Sequence, residues 1–378
     1  MKNIPLFQAI ATLVGTIIGA GILGIPYVFA QAGFWTGVVV LVIVTFAMIS
    51  IKLMFGEITL RTYGKHQVSG YVEKYLGKFW KNLTSFILVL AISGSLLAYF
   101  VGIGEVLSAV LGGAQIFWSL LFYILAAIFL YFGIKLIKNT EFILSLAIFL
   151  IVFIILLLSL DHFNPNNLLT FNLTKILLPY GVVLFACSGM VAVPEVREIL
   201  FHKEHLFKKS IFLGALIPSL VYLMFAWIVI SVTGESTTEV ATVGLGNVMG
   251  PTIIIIGNVF AFFTISTSFL TVGLALKEIY NYDFKMPHFL AWLLTLIVPL
   301  AIYFLGLQDF IKIISLVGAL GFGVNGVIYI FAYWQARKKS ERQPEYALSK
   351  KFALPVSVFL VLVFVGGLIY TLVNIVSF

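Results

Sequence analysis

Charge is the scarcest ingredient of this 378-residue chain. Asp, Glu, Lys and Arg make up 10% of it, against about 25% in an ordinary soluble domain. With 61% hydrophobic residues, 36 Phe and a mean hydropathy of +1.12, the shortage excludes a soluble globular protein and places the chain in a membrane. No stretch between the apolar runs is long enough to bury a core of its own, so no separate soluble domain is expected. Cysteine is nearly missing: Cys187 stands alone and forms no internal disulfide. Histidine is scarce too. His66, His162, His202, His205 and His288 all fall in or beside loops, and no H-E-x-x-H run occurs. A membrane enzyme would need a metal cluster, paired acids or a nucleophile at membrane depth, so the sequence argues against an enzyme. The net charge of +8 would suggest nucleic acid in a soluble protein. Here the excess sits in loops on one side, and no nucleic acid partner is expected.

The apolar residues fall into eleven runs, near 7–31, 34–60, 82–110, 116–134, 140–160, 174–200, 208–233, 251–276, 287–306, 309–335 and 353–376. The first is a retained span, because it lacks a small-residue cleavage site. Placing the N-terminus inside puts 20 of the 23 Lys and Arg residues in inside segments, as the positive-inside rule requires. The expected protein is therefore an all-α integral membrane protein with eleven transmembrane helices, its N-terminus cytoplasmic and its C-terminus extracellular.

The stretch Gly15 to Pro26, G-T-I-I-G-A-G-I-L-G-I-P, is poorly suited to a continuous helix. Gly costs about 1 kcal/mol and Pro about 3 kcal/mol against Ala in a helix interior. Backbone that leaves the helix at membrane depth must line a cavity or be buried in protein. Gly15–Gly24 is thus expected to interrupt the first span. Gly21-Ile-Leu-Gly-Ile-Pro26 reads against Gly189-Met-Val-Ala-Val-Pro194 in span six, which is expected to break around Cys187–Gly189. If residues 1–160 and 161–336 are two repeats, their first helices cross in opposite directions. Paired interrupted helices in an inverted repeat are the best sequence pointer to a transporter site. Residues 337–378 add a loop and helix eleven outside the repeat. Close helix packing through small residues is the alternative explanation of the glycines.

Broken helices expose both kinds of backbone end. The half-helix beginning near Gly21–Leu23 points free N–H groups at an anion, and the one ending near Thr16–Ile18 offers carbonyls to a cation. The second break adds carbonyls near Phe185 and Ala186 and the Ser188 hydroxyl. Together they suit an α-amino acid zwitterion. Span eight carries Gly257, Ala261, Thr264, Ser268, Thr271 and Ala275 at helical spacing, with Thr267 beside them. Helix packing explains part of this stripe. The alternative is an oxygen shell for Na+ from Thr264, Thr267 and Ser268 with the carbonyls of Gly15 and Ile18.

The run G-T-I-I-G-A-G-I-L-G-I-P-Y-V-F-A-Q-A-G-F (15–34) resembles the first helix of the amino acid/auxin permease family, in particular its hydroxy and aromatic amino acid permease relatives. L-F-A-C-S-G-M-V-A-V-P-E-V-R (184–197) and T-S-F-L-T-V-G-L-A-L-K-E-I-Y (267–280) are similar to the sixth and eighth. The resemblance implies the LeuT-type fold of five-plus-five inverted repeats in the amino acid-polyamine-organocation superfamily. It also implies ion-coupled symport of amino acids, with Na+ or H+, by alternating access. It points to Gly19, Ala20, Gly21 and Ile22 for the substrate carboxylate, Thr16, Phe185, Ala186 and Ser188 for the amine, and Gly15, Ile18, Thr264, Thr267 and Ser268 for the ion. The chain departs from some relatives in having no Lys, Arg or His within 142–160, where a lysine can replace the ion. L-K-E-I-Y also stands where aromatic permeases tend to have an acidic residue. A proton-coupled aromatic or hydroxy amino acid permease without a sodium site, and an amino acid sensor on a transporter fold, remain the alternatives.

Intramembrane charges are functional suspects. Lys52 reads as a snorkelling lysine loosely paired with Glu57, with a charge or proton role as the alternative. Glu105, near the outer end of span three, is a candidate proton carrier if buried, the alternative being exposure in the outer vestibule. Glu195 reads as a structural residue with Arg197 or a basic residue of another cytoplasmic loop as its partner, and Asn258 and Asn325 as polar helix contacts. Tyr99, Phe100, Phe185, Phe262 and Phe263 are candidates for the side-chain pocket. No cofactor other than the coupling ion is called for, the lipid bilayer of the cell membrane is the surrounding, and a monomer suffices.

Overall fold

A computed structural model describes the backbone of residues 4–132 and 137–374, and their side chains except those of 137–147, 282 and 283. Lys2, Lys135 and Lys138, used above for the orientation, lie outside the described side chains. All regular elements among the described residues are helical.

The first span is two helices, α1 (Ile4–Ile17) and α2 (Gly21–Ala32), bent by 58° across Ile18–Ala20. The interruption is narrower than Gly15–Gly24. Gly24 and Pro26 are helical, and Gly24 serves close packing instead: a Cβ there would lie 2.8 Å from Ile314 Cδ1 and 2.9 Å from Ile311 Cδ1. Next come α3 (Phe34–Leu60), α4 (Val68–Leu76), α5 (Lys78–Leu111), α6 (Gln115–Phe132) and α7 (Ile137–Ser159). Short tight turns lead to a second interrupted span, α8 (Tyr180–Ala186) and α9 (Ala192–Ile199). The chain continues through α10 (Phe207–Thr233), α11 (Ala241–Met249), α12 (Pro251–Glu278), α13 (His288–Phe304), α14 (Phe310–Leu316), α15 (Val324–Lys338) and α16 (Lys350–Val373). Between α14 and α15 the helix widens into a π-turn over Val317–Gly323. Among the described residues seven helices are long and apolar enough to cross a bilayer, and an eighth crossing results when α1 and α2 are taken together.

One order of elements occurs twice: interrupted helix, long helix, nine-residue helix, long helix. The nine-residue members, α4 and α11, fall where the sequence suggested only loops, because they are too short to show a decisive apolar period. Each ends at a glycine in left-handed conformation, Gly77 and Gly250, both at φ +93°. Gly77 N–H donates to Glu73 C=O and Gly250 N–H to Gly246 C=O, each at 2.8 Å. Such a cap satisfies the last carbonyls and turns the chain at once, and α5 and α12 start on the next residue.

The interrupted helices lie at the centre. In α5 and in Phe310–Lys338 the most apolar stretch is 72% buried, against 28% in α6 and 33% in α16, so α6 and α16 form an outer, lipid-facing ring. At the end of the bundle that carries Arg61 and Arg337, Glu57 is fully buried. Its carboxylate pairs with Arg61 at 2.7 Å and Arg337 at 3.6 Å, and accepts from Tyr333 Oη at 3.2 Å and Leu348 N–H at 2.8 Å. Glu57 is therefore not the partner of Lys52. Arg197 likewise turns to the α3–α4 loop, donating to the carbonyls of Thr62 and Gly64 and to Tyr71 Oη.

Candidate functional site

The two interruptions meet. A Cβ on Gly21 would lie 2.7 Å from Ala186 Cα and 3.2 Å from Phe185 Cδ1, and one on Gly189 would lie 2.7 Å from Ile17 Cγ1. Only glycine allows backbones so close. Ala20 and Ile22 are fully buried and Ile18 nearly so, while Gly15, Thr16, Gly19 and Ser188 keep partial exposure.

At the N–H end of the first break, α2 restarts with Ile22 donating to Gly19 C=O at 3.3 Å and Leu23 to Ala20 C=O at 3.0 Å. The N–H groups ahead of these donors lie in the first turn, where helix geometry supplies no acceptor. At the carbonyl ends the protein supplies donors. Tyr222 of α10, fully buried, sets its hydroxyl 2.8 Å from Ile17 C=O and 3.0 Å from Ala186 C=O. One phenol thus joins the ends of α1 and α8. Phe185 C=O accepts from Ser188 N–H at 3.1 Å. The Phe185 and Ala186 carbonyls, assigned above to a substrate amine, each already hold one donor.

Lys52 is no snorkelling residue. It is fully buried and its ammonium donates to Cys187 C=O at 2.7 Å, which brings the α3 charge to the second break. Lys52 stands out in the sequence as an intramembrane charge but its acceptor does not, and Tyr222 does not stand out at all, since each acceptor is more than 30 residues away in sequence.

Ser268 of α12 reaches the first break. A Cβ on Gly19 would come 2.8 Å from its Oγ and 3.6 Å from Tyr99 Oη, so both hydroxyls lie against this glycine. The Phe185 ring packs against Tyr99 at 6.5 Å and against Phe322 of the π-turn at 6.3 Å between centroids. These three rings wall the meeting point, and Phe322 was not among the sequence candidates. The other aromatic candidates lie elsewhere. Phe100 packs on Tyr123 and Tyr303, Phe262 on Phe122, and Phe263 is 51% exposed.

Thr264 and Thr267 turn toward α7. They line a cavity of about 250 Å³ with Ile148, Ile151, Val259, Phe260 and Phe263. Their hydroxyls bond their own helix, Thr264 to Phe260 C=O and Thr267 to Phe263 C=O, both at 2.9 Å. Thr16 does the same, to Thr12 C=O at 2.7 Å. Of the hydroxyls considered for an ion, Ser268 is the one that lies against Gly19. Glu105 is half-buried in α5 and is under the like charges of Glu239 and Asp309. Glu239, in the loop before α11, has its carboxyl raised above the usual range by burial and by Asp309. Asn258 is a polar helix contact, accepting from Thr242 of α11 at 3.1 Å.

Comparison with known proteins agrees with this geometry. The structure of MhsT in complex with L-phenylalanine is similar over 98% of both chains, with a TM-score of 0.68 and 16% identity, which shows the LeuT-like fold. Glutamine transporter 2 of Aliivibrio fischeri is 23% identical over 87% of this chain and 86% of its own. The tyrosine-specific transport system 1 of Haemophilus influenzae is 25% identical over 87% and 88%. The tryptophan/tyrosine permease family matches residues 2–373. An α-helical membrane protein whose two interrupted helices meet back to back, and which matches that family along nearly its whole length, is a permease and not an enzyme: the chain belongs to the tryptophan/tyrosine permease family.

Proposed function

We propose that the chain is a secondary active transporter of neutral amino acids, an ion-coupled symporter working by alternating access in the cell membrane. The observation that carries this reading is the meeting of the two interruptions at Gly21 and Ala186. It sets the unpaired N–H end of α2 beside helix ends rich in carbonyls, a surface matched to a zwitterion. The substrate carboxylate is assigned to the backbone of Gly19, Ala20, Gly21 and Ile22. The ammonium is assigned to the carbonyl end of α1 at Thr16, with Ser188 nearby and Tyr99 and Phe185 against the side chain. Gly15, Ile18, Thr264, Thr267 and Ser268 are proposed for Na+, with H+ as the alternative coupling ion.

The reading includes eleven spans in a five-plus-five inverted repeat with helix eleven outside it, the N-terminus inside and the C-terminus outside, and a monomer as working unit. The twofold order of elements and the matching glycine caps at Gly77 and Gly250 support the repeat. Membership of the amino acid/auxin permease branch is part of the same proposal. The two relatives are named for glutamine and tyrosine, which supports an amino acid substrate and leaves the side-chain preference to experiment. Purified protein in proteoliposomes, given single amino acids under an imposed Na+ or H+ gradient, should concentrate at least one of them. If no amino acid accumulates under either gradient, the proposal fails.

A further inference from the structure

Lys52 is fully buried, and among the described residues no carboxylate lies within ion-pair distance of it. Glu57, on the same helix, is committed to Arg61 and Arg337. The Lys52 ammonium instead donates to Cys187 C=O at 2.7 Å, one residue beyond the end of α8. A helix C-terminus carries about half a negative charge, and it attracts a cation. Other polar groups gather at the same end. Tyr222 holds Ala186 C=O, Ser219 lies 3.9 Å from Cys187 Sγ, and Thr45 donates to Ser219 at 2.9 Å. Thr45 and Lys52 share a face of α3, two turns apart, and Ser219 and Tyr222 are a turn apart on α10. Polar atoms from two long helices therefore converge on the end of one short one. A buried charge with no counter-charge is costly in a membrane interior, and a peg for packing alone would be better made from an apolar or neutral side chain.

We propose that Lys52 is the resident cation of the second break. Its ammonium fills the cation position that the end of α8 creates and holds the chain in place where α8 gives way to α9. The second break is thereby closed to a transported cation, and the carbonyl end of α1 is left as the place where one is received. Lys52 is a positioning residue that acts through the Cys187 carbonyl. Its role in transport rests on the transporter reading, but its role at the break does not.

Cys187 is the chain's one cysteine and is buried, so its labelling rate reports opening of the break without any substrate. Wild type, Lys52→Met, Lys52→Gln and Lys52→Arg would be compared in proteoliposomes with N-ethylmaleimide, read by mass spectrometry. Loss of a nearby cation by itself makes a thiol less reactive, so faster labelling reports exposure. The Met and Gln variants should label about tenfold faster, as expected for loss of a charged hydrogen bond, while Arg stays close to wild type. Lys52→Ala should also label fast, and n-propylammonium in the buffer should slow it where tetramethylammonium does not. Wild-type labelling in Lys52→Gln, which keeps the N–H donor without the charge, would overturn the proposal, as would equal rates across the series. Should the Met and Gln proteins fail to fold, the Arg variant and alkylammonium rescue of the Ala variant decide it in the same way. Uptake measured in parallel should fall in Met and Gln and persist in Arg. A wild-type protein that takes up nothing would defeat the transporter reading and leave the labelling result standing.

Discussion

The two breaks solve one problem differently. The first spans three residues and stays right-handed, with Ala20 at φ −59° and ψ −15°. The second spans five residues, 187–191, and passes through Gly189 at φ +91°. Their carbonyl ends differ more. At the second, Phe185, Ala186 and Cys187 all hold donors, from Ser188, Tyr222 and Lys52. At the first, Tyr222 takes Ile17, and among the described residues nothing donates to the carbonyls of Gly15, Thr16 or Ile18. A buried carbonyl without a donor, such as that of Ile18, costs about 1–3 kcal/mol, and under the proposed function a ligand supplies the missing donor. The comparison teaches that similar motifs in the two halves are unequal in use: one end is filled by the protein and the other is left open.

The largest expected effect comes from forcing the breaks apart. In Gly21→Val the new Cβ would sit 2.7 Å from Ala186 Cα, and backbone cannot yield as a side chain can. Uptake should drop to background, with thermal stability lowered by an overpacking cost of about 1–3 kcal/mol or more. Wild-type uptake in this variant would show that the breaks need not meet.

A smaller loss is expected where one hydroxyl serves both breaks. Tyr222→Phe removes the donor from Ile17 and Ala186 together, and the maximal uptake rate should fall about tenfold, equivalent to about 1.4 kcal/mol. Cys187 should also label faster, since α8 loses a tie. A change in uptake with Cys187 labelling untouched would confine the role of Tyr222 to the first break.

The smallest effect should be reversible. Gly19→Ala brings a methyl group 2.8 Å from Ser268 Oγ, whereas the next atoms lie at 3.6 Å, an ordinary contact. The variant should raise KM severalfold and lower thermal stability, and Gly19→Ala with Ser268→Ala should recover most of the stability, a coupling of about 1 kcal/mol. A double variant as poor as the single would separate Gly19 from Ser268.

Much of this was legible in one dimension. Low charge and long apolar runs give a membrane protein, because a bilayer selects on composition. Helices α1, α2, α8 and α9 end within a few residues of where Gly15–Pro26 and Cys187–Pro194 suggest. Backbone propensity acts over one turn, so glycine and proline announce such ends locally. The interruption at Gly15–Gly24 came out too wide because a glycine that breaks a helix and one that admits a neighbour look alike. Gly19 does the first and Gly24 the second, and only the nearness of Ile311 and Ile314 separates them. The aromatic candidates suffered in the same way: Phe185 and Phe263 read as equals, yet one is at the site and the other is 51% exposed.

The sequence by itself therefore determined the class of protein and the places where its helices break. Only the tertiary structure decided how the broken ends are satisfied. Lys52 reaches Cys187 across 135 positions and Tyr222 reaches Ile17 across 205. Hydrogen bonds at that separation are set by which helices pack together and by how they are rotated, and neither is written in local propensity or in the spacing of apolar residues.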